Sequence, residues 1–477
     1  MTVFLSPANL ARVAREVRRP NYDREAVCIG IVHFGPGAFH RAHQAWFVDK
    51  LLANDRRWGI CGVSLHSPTV RDALAPQDCL YSLAVLDEST SYQVIGSVKR
   101  ILVAPDDPDT VLEQLCAPQI RLVTVTVTEK GYCLGADGHL DMVHADVRRD
   151  LHAPHAPTTV IGYLVEALRR RRAAGIGPLT VVSCDNLVDN GARLARAVQQ
   201  LAEAVDRNLA HWIRDNVAFP RTMVDSITPA TTDALRERVT DALGVADRWP
   251  VQREAFVQWV IEDISSGDVP AWEGAGVIVT DDVPAYDRAK LRLLNGAHSS
   301  LAYLGLLAGH ETVAEVMADG DLATFTVTMM QQDILPTIKA PRGLNLSEYV
   351  GAIVKRFRNT AIRYALAQIA ADGSQKLPVR LLGTIHDNLV AGRPIDRLCV
   401  PIAAWFHFVR RAAAHGEQVV DPLAKRLFDI GRACENHAST DVPTFLALDW
   451  VFPAELTASK HFRSALARAY DGLAARG

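Results

Sequence analysis

No strong charge of either sign marks this chain: 51 lysines and arginines stand against 54 aspartates and glutamates, a net charge of −3. That balance removes the broad electrostatic case for a nucleic-acid partner or an anionic membrane. No apolar run is long enough to span a bilayer. The start, Met1-Thr-Val-Phe-Leu-Ser-Pro7, lacks the basic region and long apolar stretch of a secretory leader, so a cytoplasmic protein is expected. The eight cysteines (28, 61, 79, 116, 133, 184, 399 and 434) include no Cys-x-x-Cys pair. They read as buried reduced thiols, not as a disulfide framework, and no cysteine/histidine cluster has metal-ligand spacing, so no metal is expected. Internal repeats and low-complexity linkers are also lacking. The one basic run, Arg169 to Arg172, ends an apolar-periodic segment and complements a helix C-terminus.

A chain of 477 residues exceeds what a single core fills, so two or three domains are expected. The first part alternates strand-like and helix-like segments. Val27 to Phe34, Trp58 to Leu65, Ile120 to Thr128 and Leu179 to Cys184 read as strands; Gln44 to Leu52 and Gly191 to Ala204 read as helices. Alternation of this kind predicts an α/β fold, a parallel sheet with helices on its faces. From about Tyr286 onward the patterns are mostly helical, for example Leu291 to Leu307 and Leu398 to His415. The boundary falls near Asp281-Asp-Val-Pro284. The expected division is a Rossmann-type, doubly wound dinucleotide-binding domain over 1–283 and an α-helical substrate or catalytic domain over 284–477.

The chemistry concentrates in Lys290-Leu-Arg-Leu-Leu-Asn295-Gly-Ala-His298. On an α-helix at about 100° per residue, the amine, amide and imidazole fall near 0°, about 140° and about 80°. They can look into one cleft while Leu291 and Leu294 pack the helix. A proton-transfer group beside two polar groups can polarise a carbonyl and exchange its proton. A hydride source is suggested by Gly35-Pro36-Gly37, which follows the first strand and opens a helix. Such a turn lets backbone approach a pyrophosphate. The fingerprint is incomplete, since His40 occupies the third glycine position. After the second strand, Ser64-Leu-His-Ser67 offers no acid to grip a ribose, and Arg71 is either a 2′-phosphate ligand or an exposed helix residue.

Seven motifs occur in order: Gly35-Pro-Gly-Ala-Phe-His40-Arg-Ala-His-Gln44, Thr126-Val-Thr-Glu-Lys-Gly-Tyr132, Ser183-Cys-Asp-Asn186, Phe219-Pro-Arg-Thr-Met-Val-Asp225, Gln258-Trp-Val-Ile-Glu-Asp263, Lys290…Asn295…His298 and Asp372-Gly-Ser-Gln-Lys-Leu-Pro378. Together they resemble the mannitol dehydrogenase family of long-chain polyol and sugar-acid dehydrogenases, over about residues 25–420. Within it they look most like the D-mannonate oxidoreductase (fructuronate reductase) branch. The resemblance implies a Rossmann-type domain, a helical domain and an active site between them. It implies Lys290 as general acid/base, Asn186 and Asn295 as oxyanion-hole amides and His298 as an orienting group. Asp225 would be a substrate-side carboxylate, with Lys376 a further substrate contact. Gly35, Gly37, Ala38, Phe39, His40, Arg41 and Thr128 would form the cofactor side, with NAD(H) favoured over NADP(H). The partner is then a small sugar acid or polyol, most simply the D-mannonate/D-fructuronate pair; mannitol 2-dehydrogenase or a non-catalytic dinucleotide sensor are the alternatives. The oligomeric state is not fixed, and a monomer is compatible. The sugar-acid branch usually carries Arg-His-Arg-Thr where this chain has Arg363-Tyr-Ala-Leu366, and Asp-Arg-Ile where it has Asp225-Ser-Ile227. Two arginines that would face a carboxylate are thus absent, and Arg221 is the nearby cation that would replace one.

Plainer readings stand beside these. Alone, Lys290 is a solvated helix residue, Asn295 a surface amide, His298 a core histidine, Asn186 a turn residue and Asp225 a helix cap. Gln375 and Lys376 either contact substrate or close a loop. His40 and Arg41 either meet cofactor phosphate or lock the first helix to the sheet, the second being favoured. Tyr286-x-x-x-Lys290 imitates the Tyr-x-x-x-Lys pair of short-chain dehydrogenases, but it follows the expected sheet and accompanies the wrong glycine turn.

Overall fold

The computed structural model describes residues 2–135, 137–264 and 268–475. The chain separates into two compact units, Met1–Val283 and Pro284–Gly477.

The first unit is built on a five-stranded parallel sheet. Its eleven strands are β1 Ile29–Phe34, β2 Gly59–Ser64, β3 Tyr81–Leu86, β4 Ser91–Ile95, β5 Val98–Val103, β6 Leu122–Val125, β7 Thr180–Ser183, β8 Thr222–Asp225, β9 Val251–Glu254, β10 Gln258–Glu262 and β11 Ile278–Thr280. The main sheet has the order β5-β2-β1-β6-β7, and every pairing in it is parallel. Strand order reverses between β1 and β6, and in open α/β sheets ligands gather at the carboxyl ends beside that reversal. The sheet is covered on both faces, which is why its strands read as near-continuous apolar runs. Val32 and Phe34 of β1 enter one core with helix Val160–Ala173 and helix Asn190–Val205. Ile31 enters the other, with Phe47, Val48 and Trp259. Two small sheets, β11-β10-β8 and β4-β3-β9, complete the unit.

The basic run serves this packing. Arg169 and Arg170 pair with Glu166. Burial alone would push the Glu166 carboxyl up, but hydrogen bonds from Arg169, Arg170 and His155 outweigh it and hold the group at about 2. Arg171 is fully buried, donating to the carbonyls of Leu115, Ala117, Ile120 and Gly177. Five cysteines are buried and all eight are free, while Cys28 departs from the expectation by being exposed. Among the described residues there is no metal-holding cluster of three or more His, Cys, Asp or Glu, and no helix is long and apolar enough to cross a membrane.

One buried carboxyl gives a pH prediction. Asp49 accepts from Tyr22 (2.6 Å) and from the Gly96 N–H (2.8 Å). Part of the residue touches solvent, but its carboxyl lies inside, and burial pushes it up to about 6 despite those bonds. As pH rises from about 4 to 6 the unfolded chain therefore loses this proton first, and stability falls across that window. Asp49→Asn is neutral throughout. The difference in thermal midpoint, variant minus native, is expected to become more positive between pH 4 and 6; a flat difference contradicts the assignment.

The second unit is helical, with one isolated bridge between Thr312 and Ala365. Its long buried elements are helix Gly296–Leu307 and helix Asp396–Ala414. Three π-helical turns interrupt it: Lys290–Asn295, Met329–Ile334 and Pro378–Leu382. The first packs against the other two.

Candidate active site

In the first unit the carboxyl ends of β1, β6 and β7 carry three of the motifs. β1 leads into Gly35, whose φ of +90° is open to glycine alone at little strain. A Cβ at Gly35 would lie 2.1 Å from the Thr126 carbonyl oxygen. That closeness holds the turn against the strand after the reversal. Beyond it, a Cβ at Gly37 would meet only the Gly35 carbonyl oxygen at 3.9 Å, so the space in front of the turn is open. The helix it opens, Ala38–Ala42, is only five residues long, which leaves the turn's own backbone as the main cradle.

His33 secures that turn from below. Its Nε2 faces the Gly35 carbonyl (3.1 Å) and Thr126 Oγ1 (2.9 Å), and its Nδ1 meets Thr124 Oγ1 (2.7 Å). Burial pushes the ring down to about 3, so it acts as a neutral donor and acceptor. His40, in the third-glycine position, stacks on His33 at 3.4 Å with ring planes 10° apart. Its two buried ring nitrogens have no partner among the described residues. Arg41 is also buried; its Nη1 donates to the Trp249 carbonyl at 2.7 Å and its guanidinium lies over Tyr81 and Trp249. Phe39 stacks on His43 at 4.9 Å. Glycine freedom at Gly35, open space at Gly37 and an orphaned imidazole at the third position fit a dinucleotide. Arg71 is paired at the surface with Asp72 and Asp106.

The loops after β6 and β7 are tied by Asp185, a residue the sequence reading passed over. Its carboxylate accepts from the N–H groups of Val127 (3.1 Å) and Thr128 (2.9 Å) and from the Tyr132 hydroxyl (2.6 Å). Burial raises its pKa. Thr128 sits at φ +66°, an outlier for a β-branched residue. Asp185 therefore holds a strained turn in place and explains why the Thr126–Tyr132 and Ser183–Asn186 motifs occur together. Asn190 does the same on the other side. Its amide donates to the carbonyls of Ser183, Asp185 and Thr222, and its Oδ1 accepts from Thr222 N–H. Between these two anchors lies Asn186, exposed at the carboxyl end of β7. Asp185→Ala strips two main-chain donors and is expected to lower the unfolding free energy by about 2 kcal/mol in urea titrations. A change within about 0.5 kcal/mol, the range of an ordinary surface substitution, would show that the clamp organises nothing.

Asp225 ends β8, in register with Gln258, so it is not a helix cap; the next helix is capped by Thr232. Ser226, where an arginine was expected, donates to the Phe256 carbonyl at 3.0 Å. Arg221 lies 3.1 Å from Asp189 and 3.9 Å from Glu262. Its charge is already balanced.

In the second unit the helix type differs from the expected one. The α-helical angles expected for Lys290 and Asn295 do not apply, because Lys290–Asn295 is a π-helix. An i→i+5 ladder places Asn295 one hydrogen-bonded turn beyond Lys290, closer to the same face than α-geometry allows, and single π turns occur often at functional sites. The changed register also alters the packing. Leu293 and Leu294 are buried, while Leu291 is only partly so. Lys290 and His298 are buried at 7% and 5% exposure, too low for a solvated lysine. His298 packs on Phe357 at 4.6 Å and edge-on to Tyr364 at 5.0 Å. The Tyr286 hydroxyl donates to the Arg342 carbonyl at 2.7 Å, which accounts for that residue without an acid/base role. Lys376 stands on helix Gly373–Leu377 and donates to the Ile369 carbonyl at 3.3 Å. Burial first, and repulsion from Arg380 second, lower its pKa. Gln375 points to solvent.

Two family models match the chain: the mannitol dehydrogenase Rossmann domain over residues 29–274 and the mannitol dehydrogenase C-terminal domain over residues 282–474. The chain is 40% identical to a D-mannonate oxidoreductase of Escherichia coli, over 97% of this chain and 96% of that one. It is 38% identical to a mannitol 2-dehydrogenase of Phaeosphaeria nodorum, over 99% and 84% respectively. A solved structure of Pseudomonas fluorescens mannitol 2-dehydrogenase, a ternary complex with NAD and D-mannitol, superposes with a TM-score of 0.83 at 37% identity, covering 99% of this chain and 97% of that one.

Proposed function

The chain belongs to the mannitol dehydrogenase family and is an oxidoreductase acting on alcohol groups; on that premise we propose that it interconverts a secondary alcohol of a sugar acid and its ketone with NAD(H), D-mannonate and D-fructuronate being the first pair to test. The observation that carries the reading is the buried Lys290 on a π turn that ends at Asn295 and leads into His298. When bound, the nicotinamide supplies or accepts the hydride. The Gly35–Gly37 turn cradles the pyrophosphate, and the fit described above supports a dinucleotide. NAD(H) is favoured over NADP(H), since the solved mannitol 2-dehydrogenase complex holds NAD.

In reduction, the Lys290 ammonium gives a proton to the oxygen of the substrate carbonyl as that oxygen gains negative charge. The amides of Asn295 and Asn186 donate hydrogen bonds to the same oxygen. In oxidation, Lys290 must be neutral to take the alcohol proton. His298, fixed between Phe357 and Tyr364, orients the oxygen. Asp225 and Lys376 engage substrate hydroxyls. His40 and Arg41 act as supports beneath the nucleotide turn.

A second substrate reading, D-mannitol and D-fructose, is favoured by the missing arginines at Ser226 and Ala365. The sensor alternative is set aside because a sensor has no use for a buried acid/base. Purified protein with NADH and a panel of ketoses and keto-sugar acids, followed by NADH absorbance, tests the reading. Turnover of D-fructuronate above D-fructose is expected. NADH binding with no turnover of any sugar would refute it.

A further inference from the structure

The π turn Pro378–Leu382 packs on the Lys290–Asn295 turn and carries Arg380. Arg380 is mostly removed from solvent, and burial lowers its pKa. Its Nη1 donates to Ser299 Oγ at 3.1 Å and reaches the Asn295 carbonyl at 3.5 Å. No carboxylate forms an ion pair with it among the described residues, and the phenols of Tyr303 and Tyr364 lie near it. Elsewhere in this unit Arg292 is paired with Asp387 and Arg397 with Asp333. Arg171 fills the donors of Nε, Nη1 and Nη2 with carbonyls, whereas Arg380 leaves Nε and Nη2 without a partner among the described residues, and such donors suit an anion. Arg380 also raises the local positive charge at Lys376, the other cation of that segment.

We propose that Arg380 binds the carboxylate of an acidic sugar and so sets the substrate class. This rests on the sugar-acid reading above and replaces Arg221, whose charge Asp189 and Glu262 already balance. The fork of a guanidinium matches a carboxylate in two parallel hydrogen bonds, and Nη1 is the only nitrogen of Arg380 with a partner within the described residues. One carboxylate-binding arginine is thus supplied from another element, two residues past the end of the Asp372–Pro378 motif.

The test compares kcat/KM for D-fructuronate and for the matching neutral ketose D-fructose, at saturating NADH, in native protein, Arg380→Gln and Arg380→Lys. The ratio of acid to neutral efficiency is expected to fall about 10- to 100-fold in Arg380→Gln, the worth of a charge-assisted pair. Arg380→Lys should recover part of it, because charge remains while the fork is lost. The thermal midpoint of Arg380→Gln should be equal to or above the native one, since an unbalanced cation has been removed. Equal losses on both sugars with a lower midpoint would mean a structural arginine and overturn the inference while leaving the dehydrogenase reading intact. Native protein that reduces D-fructose but no keto-sugar acid would overturn both the sugar-acid reading and this inference.

Discussion

Lys290→Ala is expected to lower turnover by at least about 10² while leaving NADH affinity nearly unchanged, the range of a lost general acid/base. Lys290 is 7% exposed on the first residue of a π turn. The neutral amine is the form needed to accept the alcohol proton. The Gly35–Gly37 turn lies in the first unit and Lys290 in the second. Lys290→Met keeps most of the side-chain volume and should be equally inactive, which separates lost chemistry from a packing defect. Steady-state rates from NADH absorbance, with NADH affinity from fluorescence titration, read both quantities. Normal turnover in either variant refutes the role.

Asn295→Ala is expected to reduce kcat by about 10²–10³, or about 3–4 kcal/mol of barrier, with KM little changed. Its amide is assigned to oxygen charge that develops during reaction, so the loss should fall on the transition state. Main-chain geometry should survive, because the neighbouring contacts use the Asn295 carbonyl and the Ser299 hydroxyl, not the Asn295 side chain. Asn186→Ala should behave alike. A rise in KM alone would mean that these amides hold ground-state substrate and do not stabilise the oxyanion.

The parallel sheet was legible because β1, β2, β6 and β7 are buried on both faces and therefore read as short apolar runs. β4 and β9 were not, since Ser91–Ile95 is half exposed and Val251–Glu254 places Gln252, Arg253 and Glu254 in the interior. The π turn escaped because helical periodicity assumes 3.6 residues per turn; the i, i+5 spacing of Lys290 and Asn295 was its one visible trace. Asp185 and Asn190 look like ordinary turn residues in sequence. Only their long-range partners, Val127 to Tyr132 and Thr222, reveal them as anchors. Arg171 and Arg380 carry the same lesson for charge. One arginine of a solvated-looking run is caged by four carbonyls, and one of an ordinary segment lies beside the Lys290 turn without a counter-ion among the described residues.

The central claim is hydride transfer to a sugar ketone with the proton supplied by the protein. Its most direct test is native protein with NADH deuterated at the transferring C4 position and D-fructuronate in ordinary water, with the product read by mass spectrometry. One deuterium on the newly formed carbinol carbon is the predicted result. Failure to form any deuterium-labelled alcohol, from D-fructuronate or from D-fructose, would contradict it.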